Sequence, residues 1–500
     1  MDTLIKNLYI KYNQELNTFS CKDDLKKQST KSIKLLNHQL RVRDYFQKTD
    51  IKGLLLYHGL GSGKTITSII SAYSKGMKSK DSIVVLTPAS LKDNYTTEIK
   101  KLKVNPKHFE IISYNTSKIT KQLTSVENKI VVVDECHNLF SMISNNSKIG
   151  EYVYSLFQNA KNTRFLFLSG TPIINSPYEL ALLFNILRPK IFFGKSSFTK
   201  EEFENYYILH EYNHKVFSNL IKGLVSFYPG VKNPDIFPKL VKKQIVLNMT
   251  PLQIRFYNYY KKLENKALID INRQQEMYKV YTRQVCNFAQ IENLEKINDS
   301  DLRFQLKNYS PKYAKMLNII KYSQGPVLIY SNFKEVGVNL ISRILDLNGI
   351  SNVMWTGEES SEQREKNLQA FNSKENKHGE KIKCFLITSA GAEGISLKNV
   401  RQVHIIEPHW NSNREHQVIG RAMRICSHAD LPKSQRRVDV YNYYITSKQF
   451  KTTDVLVYGV ANQKNTIIKK FLQLLVQSSF DCEFNGSDKN KSKGCLLKII

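Results

Sequence analysis

Residues 54–70 read Leu54-Leu55-Leu56-Tyr57-His58-Gly59-Leu60-Gly61-Ser62-Gly63-Lys64-Thr65-Ile66-Thr67-Ser68-Ile69-Ile70. A short apolar run gives way to a glycine-rich turn, and an apolar helical pattern opens at Ile66. Strand, loop and helix in that order are the context a phosphate-binding loop needs. Glycines let backbone N–H groups turn inward on phosphate oxygens, and the helix N-terminus adds a positive dipole end. On this reading Gly59, Gly61, Ser62 and Gly63 form the cradle. Lys64 reaches the β- and γ-phosphates of ATP, and Thr65 holds Mg2+. The strict spacing puts glycine at position 58, where this chain has His58, so the match is to the shorter G-x-G-K-T form.

Outward from that loop, short apolar runs recur at 54–57, 83–86, 130–133 and 165–168, with spacers long enough for crossover helices. Buried parallel strands look like this. The run 131–133 ends in Asp134-Glu135-Cys136-His137. Two carboxylates then stand at the C-terminal edge of a strand, where ligands of open α/β sheets bind. Asp134 is placed to hold Mg2+, and Glu135 to orient and polarise the attacking water. Cys136 and His137 have no second Cys/His pair at ligand spacing, which argues against a structural metal. The alternation stops after Pro172. Residues 178–305 read as mostly helical and charged, with a Pro/Gly-marked break at 228–238. Strand-like runs return at 327–330, 352–355, 384–388, 403–407 and 438–444.

At 500 residues, with 41% hydrophobic, 11% aromatic and 24% charged residues, the chain is globular material too large for one core. No run of ~18 apolar residues occurs, so no membrane partner is expected. The first sixteen residues lack an apolar signal core, so secretion is not expected either. Seven cysteines without a C-x-x-C pair fit a reducing compartment. The formal charge of +30 points to a polyanion, most often nucleic acid. Lysine supplies 58 of the 74 basic residues, and part of that excess is the composition of an AT-rich genome. Six of the 16 arginines fall between Arg401 and Arg437, a cluster that needs a local reason.

The loop and the Asp-Glu-Cys-His run together resemble the superfamily 2 helicases and translocases. Gln39 sits where that family has its adenine-sensing glutamine. Pro88-Ala89-Ser90-Leu91 with Asn94, Tyr95 and Glu98 resembles the Swi/Snf-type DNA-contacting motif. Leu168-Ser169-Gly170-Thr171-Pro172, with Asn175 and Glu179-Leu180, resembles the same group's third motif. Gly394-Ile395-Ser396-Leu397, Trp410-Asn411, Gln417, Gly420-Arg421-Ala422 and Arg424-Ile425 follow at the spacing of Swi/Snf-type ATPases. The resemblance accounts for the arginine cluster. It makes Arg421 and Arg424 arginine fingers, adds Gln417 to the catalytic set, and adds Gly394 to the nucleotide site. Met249-Thr250-Pro251, Gln253, Tyr257, Arg283-Gln284-Val285-Cys286-Asn287 and Ser310-Pro311-Lys312 also resemble this group, as a segment linking two lobes.

The chain departs from the chromatin remodellers at Ser389, Met423 and Cys426-Ser427. The phrases 391–402 and Glu407-Pro408-His409-Trp410-Asn411 are closer to the nucleoside triphosphatase I and early-transcription ATPases of large cytoplasmic DNA viruses. The resemblance implies two RecA-like parallel-sheet α/β lobes with helical insertions between them. The expected division is an N-terminal extension at 1–34, lobe 1 at 35–177, a helical insertion and linker at 178–310, lobe 2 at 311–465, and a C-terminal helix and basic tail at 466–500. It implies ATP and Mg2+ as cofactors and translocation along double-stranded DNA in viral transcription. Pro88, Ala89, Ser90, Ser331, Thr388 and Ser389 are the expected polymer contacts. RNA polymerase or transcription factors are expected partners, and host cytoplasm and virion the expected locations. A strand-separating DNA or RNA helicase, and a transcription subunit that uses ATP as a switch, would keep the same core.

Overall fold

The computed structural model describes residues 4–5, 7–8, 12, 35–59, 61–73, 82–116, 118–230, 236–269, 279–389, 395–411 and 413–482. Gly394 and the lysines of the tail, Lys489, Lys491 and Lys493, lie outside the described residues. The chain divides into two compact units, Met1–Val231 with Lys464–Ile500, and Lys232–Gln463.

The first unit holds β1 (Gly53–His58), β2 (Ile83–Thr87), β3 (Phe109–Ser113), β4 (Ile130–Val133), β5 (Arg164–Ser169) and β6 (Val225–Tyr228). They form one sheet in the order β3-β2-β4-β5-β1-β6, with every pairing parallel. Successive residues of a strand point to opposite faces, and here both faces are covered. Leu55, Val84, Val131, Val133, Phe165 and Phe167 enter one apolar cluster. Their neighbours Leu54, Leu56, Val85, Val132, Leu166 and Leu168 enter another. Each such side chain removed from water contributes roughly 1.5–3 kcal/mol.

The second unit repeats the plan with β7 (Lys239–Asn248), β8 (Val327–Tyr330), β9 (Asn352–Trp355), β10 (Cys384–Ile387), β11 (Gln402–Ile405) and β12 (Arg437–Thr446). The order is β7-β12-β11-β8-β10-β9, again all parallel. Val327, Ile329 and Leu386 face one cluster, and Leu328, Tyr330, Phe385 and Ile387 face the other.

The span 178–310 differs from its expectation as a helical insertion. It does contain helices, Tyr178–Leu187 and Pro251–Ile269 among them, but β6 and β7 also lie inside it. β6 completes the first sheet and β7 the second, and the division between the units falls at the Pro/Gly-marked break between them. The expected C-terminal helix from 466 is the second half of a 26-residue helix, Thr453–Ser478. Among the described residues no helix is long and apolar enough to cross a membrane.

Candidate active site

The glycine-rich loop leaves the C-terminal end of β1 and enters the helix Lys64–Tyr73. Gly61 and Gly63 have φ of 73° and 76°, left-handed values that favour glycine. Gly59 is needed for a different reason. A Cβ there would lie 2.7 Å from the Pro229 carbonyl oxygen, and the Gly59 N–H donates to Tyr228 O at 2.8 Å. The first N–H groups of a helix have no intrahelical acceptor, so the start at Lys64 leaves donors for an anion. The hydroxyl of Ser62 is buried and has no partner among the described residues. A loop with an orphaned hydroxyl, left-handed glycines and a helix N-terminus fits a phosphate chain. Lys64 Nζ rests on the His58 carbonyl at 3.1 Å. Gln39 braces the turn, with Nε2 donating to Gly63 O at 3.4 Å and Oε1 accepting from Leu36 N at 2.9 Å. Asn94 Nδ2 donates to Thr65 Oγ1 at 3.4 Å.

In the sheet order β4 and β1 flank β5. With strands ~4.8 Å apart, the ends of β4 and β1 lie roughly 10 Å from each other. Asp134 ends β4. Burial pushes its carboxyl up to about 7, the Glu135 carboxylate adds to this, and Lys64 and the Glu135 N–H pull it back. A carboxylate held that way is a setting a divalent cation relieves. Glu135 is a non-glycine residue in the left-handed region, with φ 45° and ψ 47°. That strain costs on the order of 1–3 kcal/mol. It is held by the Glu135 N–H on Asp134 Oδ1 at 3.0 Å, and by the Tyr114 hydroxyl, 3.2 Å from the carbonyls of both Asp134 and Glu135.

His137 links the acidic pair to β5. Its Nδ1 is 2.8 Å from Ser169 Oγ and 3.4 Å from Glu135 Oε2. A carboxylate only accepts, so a proton on Nδ1 serves both contacts. Ser169 Oγ also accepts from Thr171 N at 2.9 Å. The turn continues to Ile174 and Asn175, whose N–H groups donate to the buried Glu179 at 2.6 and 3.1 Å.

In the second unit, Gln417 and Arg421 lie one turn apart on the helix Asn413–Ala422, and Arg424 follows it. Arg421 Nη1 and Arg424 Nη2 both reach the carbonyl of Ile395, at 3.4 and 3.0 Å. Of the six expected polymer contacts, Ala89, Ser90 and Ser389 are exposed, whereas Pro88, Thr388 and Ser331 are buried. Ser331 needs a correction as a contact through its side chain. Its hydroxyl donates to both oxygens of Glu407, at 3.2 and 3.1 Å, because that buried carboxylate must be saturated with donors.

Residues 103–301 match the SNF2-related domain, and residues 311–426 match the helicase conserved C-terminal domain. A provisionally named ATP-dependent RNA helicase of Acanthamoeba polyphaga mimivirus is 31% identical over 503 residues, covering 87% of each chain. The chain belongs to the Swi/Snf-related superfamily 2 helicases. An African swine fever virus homologue of termination factor NPH-I is 29% identical, over 90% of this chain and 78% of its own length. A second mimivirus protein, also provisionally named an RNA helicase, is 29% identical over 90% of this chain and 98% of its own. The two parallel sheets are therefore RecA-like lobes, and this helicase-type enzyme hydrolyses nucleoside triphosphates and binds nucleic acid.

Several residues around the helicase's glycine loop escape a reading of the sequence. His38 Nε2 is 2.8 Å from Ser62 O, and its ring stacks on Tyr228 at 3.8 Å. His58 is fully buried, with Nε2 2.8 Å from Ser226 Oγ. Tyr114 and Asp481 carry no motif at all. The one available signal is His58 itself, a bulky residue where the strict pattern has glycine.

Proposed function

We propose that this chain couples nucleic-acid-dependent ATP hydrolysis to movement along double-stranded DNA during viral transcription. The observation that supports it best is the glycine loop and the acidic pair on strands flanking β5, with His137 tying Glu135 to Ser169. In this proposal the backbone of Gly59, Gly61, Ser62 and Gly63 cradles the phosphates. Lys64 neutralises them and Gln39 meets the adenine. Thr65 and Asp134 hold Mg2+, which when bound supplies positive charge to the phosphate oxygens. Glu135 orients the attacking water and draws on its proton. His137 Nδ1, 3.4 Å from Glu135 Oε2, holds the carboxylate, so less reorganisation accompanies attack. Arg421 and Arg424 act as arginine fingers on the charge that develops in the transition state, with Gln417 beside them and Gly394 in the nucleotide site.

Ala89, Ser90 and Ser389 are the exposed candidates for contacts to the polymer backbone. Such contacts carry no sequence information and weaken with salt. We place the activity in the cytoplasm of an infected cell, with RNA polymerase or transcription factors as partners. The names of the mimivirus relatives favour a second reading, an RNA helicase that separates strands. ATPase rates with double-stranded DNA, single-stranded DNA and RNA, beside a strand-release assay, separate the two. The translocase reading expects DNA to stimulate most, without strand release. Stimulation by RNA alone with efficient unwinding establishes the second reading.

A further inference from the structure

The phosphate loop leans on one side against the end of β6. Gly59 N–H bonds Tyr228 O, the loop packs closely on Pro229, and His38 bridges from its stack on Tyr228 to the carbonyl of Ser62. β6 is the edge strand of its sheet, and an edge strand is held only as well as whatever covers it. Its cover here is the end of the helix Thr453–Ser478 with the short segment that follows it. Gly223 N donates to Ser478 O at 3.2 Å, and Phe480 N donates to Val225 O at 2.9 Å. The Phe480 ring stacks on Tyr45 at 3.8 Å.

Asp481 then turns inward and is buried. Its Oδ1 accepts from Phe227 N at 2.7 Å and its Oδ2 from Ser226 Oγ at 2.6 Å. A carboxylate has no proton to give, so the Ser226 hydroxyl spends its hydrogen on Asp481. Ser226 Oγ is then left as the acceptor for His58 Nε2–H at 2.8 Å. This fixes the His58 tautomer. Nδ1 becomes the bare nitrogen, an acceptor with no donor among the described residues. Burial, with His38, Lys64 and Arg41 nearby, holds the His58 imidazole neutral. The His58 carbonyl receives Lys64 Nζ. Burial raises the Asp481 carboxyl above its ordinary range, and the charge of Arg41, on the helix that carries His38 and Gln39, pulls it back together with the Ser226 hydroxyl and the Phe227 N–H, all of which favour the carboxylate.

We propose that Asp481 is a positioning residue for the nucleotide site, acting through Ser226 and His58 on the phosphate loop and its lysine. This rests on the reading that residues 59–65 bind nucleotide phosphates. The histidine in place of glycine at 58 thereby has a use. It gives the loop a side chain by which the sheet edge can hold it. Asp481 touches neither nucleotide nor reacting atoms, so its loss should appear in affinity and leave the chemical step nearly untouched.

The test is ATP·Mg binding by calorimetry and steady-state ATPase on the full chain. Asp481→Asn turns one of the two accepting oxygens into a donor, so either Phe227 N or the Ser226 hydroxyl loses its acceptor, and Ser226→Ala cuts the relay at its centre. Each should raise the Kd and KM for ATP about tenfold, the scale of one buried donor left unsatisfied, with kcat changed by less than about threefold. His58→Leu should do the same, and His58→Gln, which keeps an N–H at the ε position, should recover part of the loss. Ser478→Ala removes a hydroxyl from the same covering segment, 2.7 Å from Ser218 Oγ. It should lower the melting temperature without moving KM, which separates positioning from mere stability. Should Asp481→Asn fail to fold, Ser226→Ala decides alone. Wild-type ATP affinity in Ser226→Ala and Asp481→Asn, with binding lost in Lys64→Ala, overturns the relay and leaves the phosphate-loop reading standing. Wild-type affinity in Lys64→Ala overturns both.

Discussion

Replacing Lys312 with methionine would break a fully buried ion pair in the second lobe. Lys312 Nζ lies 2.6 Å from Asp454 Oδ2, with side-chain exposures of 0% and 1%. It also donates to Asn287 Oδ1 and to Ile406 O, each at 3.0 Å. Methionine keeps most of the volume but leaves the Asp454 carboxylate, among the described residues, with Ile445 N as its donor at 3.0 Å. Removing one partner of a buried pair costs about 3–5 kcal/mol. Asp454 lies in the first turn of the helix Thr453–Ser478, whose dipole offsets ~1 kcal/mol of that. The expected net loss is roughly 3 kcal/mol. Asp454→Asn should cost less, about 2 kcal/mol, because the ammonium keeps two carbonyl acceptors. The double variant should cost well under the sum, since removing both charges of a buried pair is often close to neutral. Urea unfolding followed by hydrogen exchange in residues 311–321 and 437–446 is the assay, because a chain of two compact units need not unfold in one step. Single variants that each cost under ~1 kcal/mol, or a double variant that equals their sum, would refute the reasoning.

Lys64→Ala should weaken ATP binding, whereas Glu135→Gln should retain binding and trap ATP unhydrolysed. Equal loss of affinity in both would contradict the role given to Glu135. Arg421→Ala and Arg424→Ala should keep ATP binding and lose roughly 10³-fold in rate, so near-normal turnover with saturating DNA would demote either residue to a surface cation. Burial lifts the Glu179 carboxyl from its ordinary 4.5 to about 7, against the pull of the Ile174 and Asn175 N–H groups. The folded chain therefore holds this proton more tightly than the unfolded chain does. The associated stability is complete below pH 4.5 and is lost as pH rises through about 7. Relative to Glu179→Gln, the wild type should lose up to roughly 3 kcal/mol between acidic pH and pH 8, and a difference in unfolding midpoints that ignores pH sinks the assignment.

Strands that lie inside a sheet declare themselves in one dimension, because both of their faces are buried. β1, β2, β4 and β5 are fully or almost fully buried and read as unbroken apolar runs. β3, β6 and β7 do not, and all three are sheet edges. β3 carries Glu110, β6 spends Ser226 on a hydrogen bond, and β7 alternates between exposed and half-buried positions with Lys239, Lys242 and Lys243 on it. β9 is an edge as well, but Val353, Met354 and Trp355 keep it apolar enough to read. The site divides in the same way. The glycine loop and the Asp134-Glu135 pair are local constellations and could be read from spacing. The partners of His58 and Ser226 lie 168 and 255 residues away, and no spacing rule reaches that far.

The middle of the chain shows what a motif without obvious chemistry can be for. Residues 249–257, 283–287 and 310–312 resemble a segment linking two lobes, and none of them carries an evident catalytic group. In the structure they build a mount under Glu407-Pro408-His409-Trp410. Gln253 donates to Val285 O at 3.1 Å, Ser310 to Asn287 O at 2.5 Å, and Asn287 to Glu407 Oε2 at 2.8 Å. The Arg283 guanidinium lies over the rings of Phe333 and Trp410, at 5.3 and 6.0 Å. Glu407 also takes the Ser331 hydroxyl and the Asn332 N–H, so its oxygens are committed and it is unsuited to act as a base. Buried ions seldom stabilise more than a well-packed apolar core would, so a stability argument does not explain them. Geometry does. One carboxylate accepting from Ser331, Asn332 and Asn287 joins the loop after β8 to the loop after β11. Those two loops leave neighbouring strands at the sheet edge where α/β proteins bind ligands, so neither can shift without breaking bonds to the other.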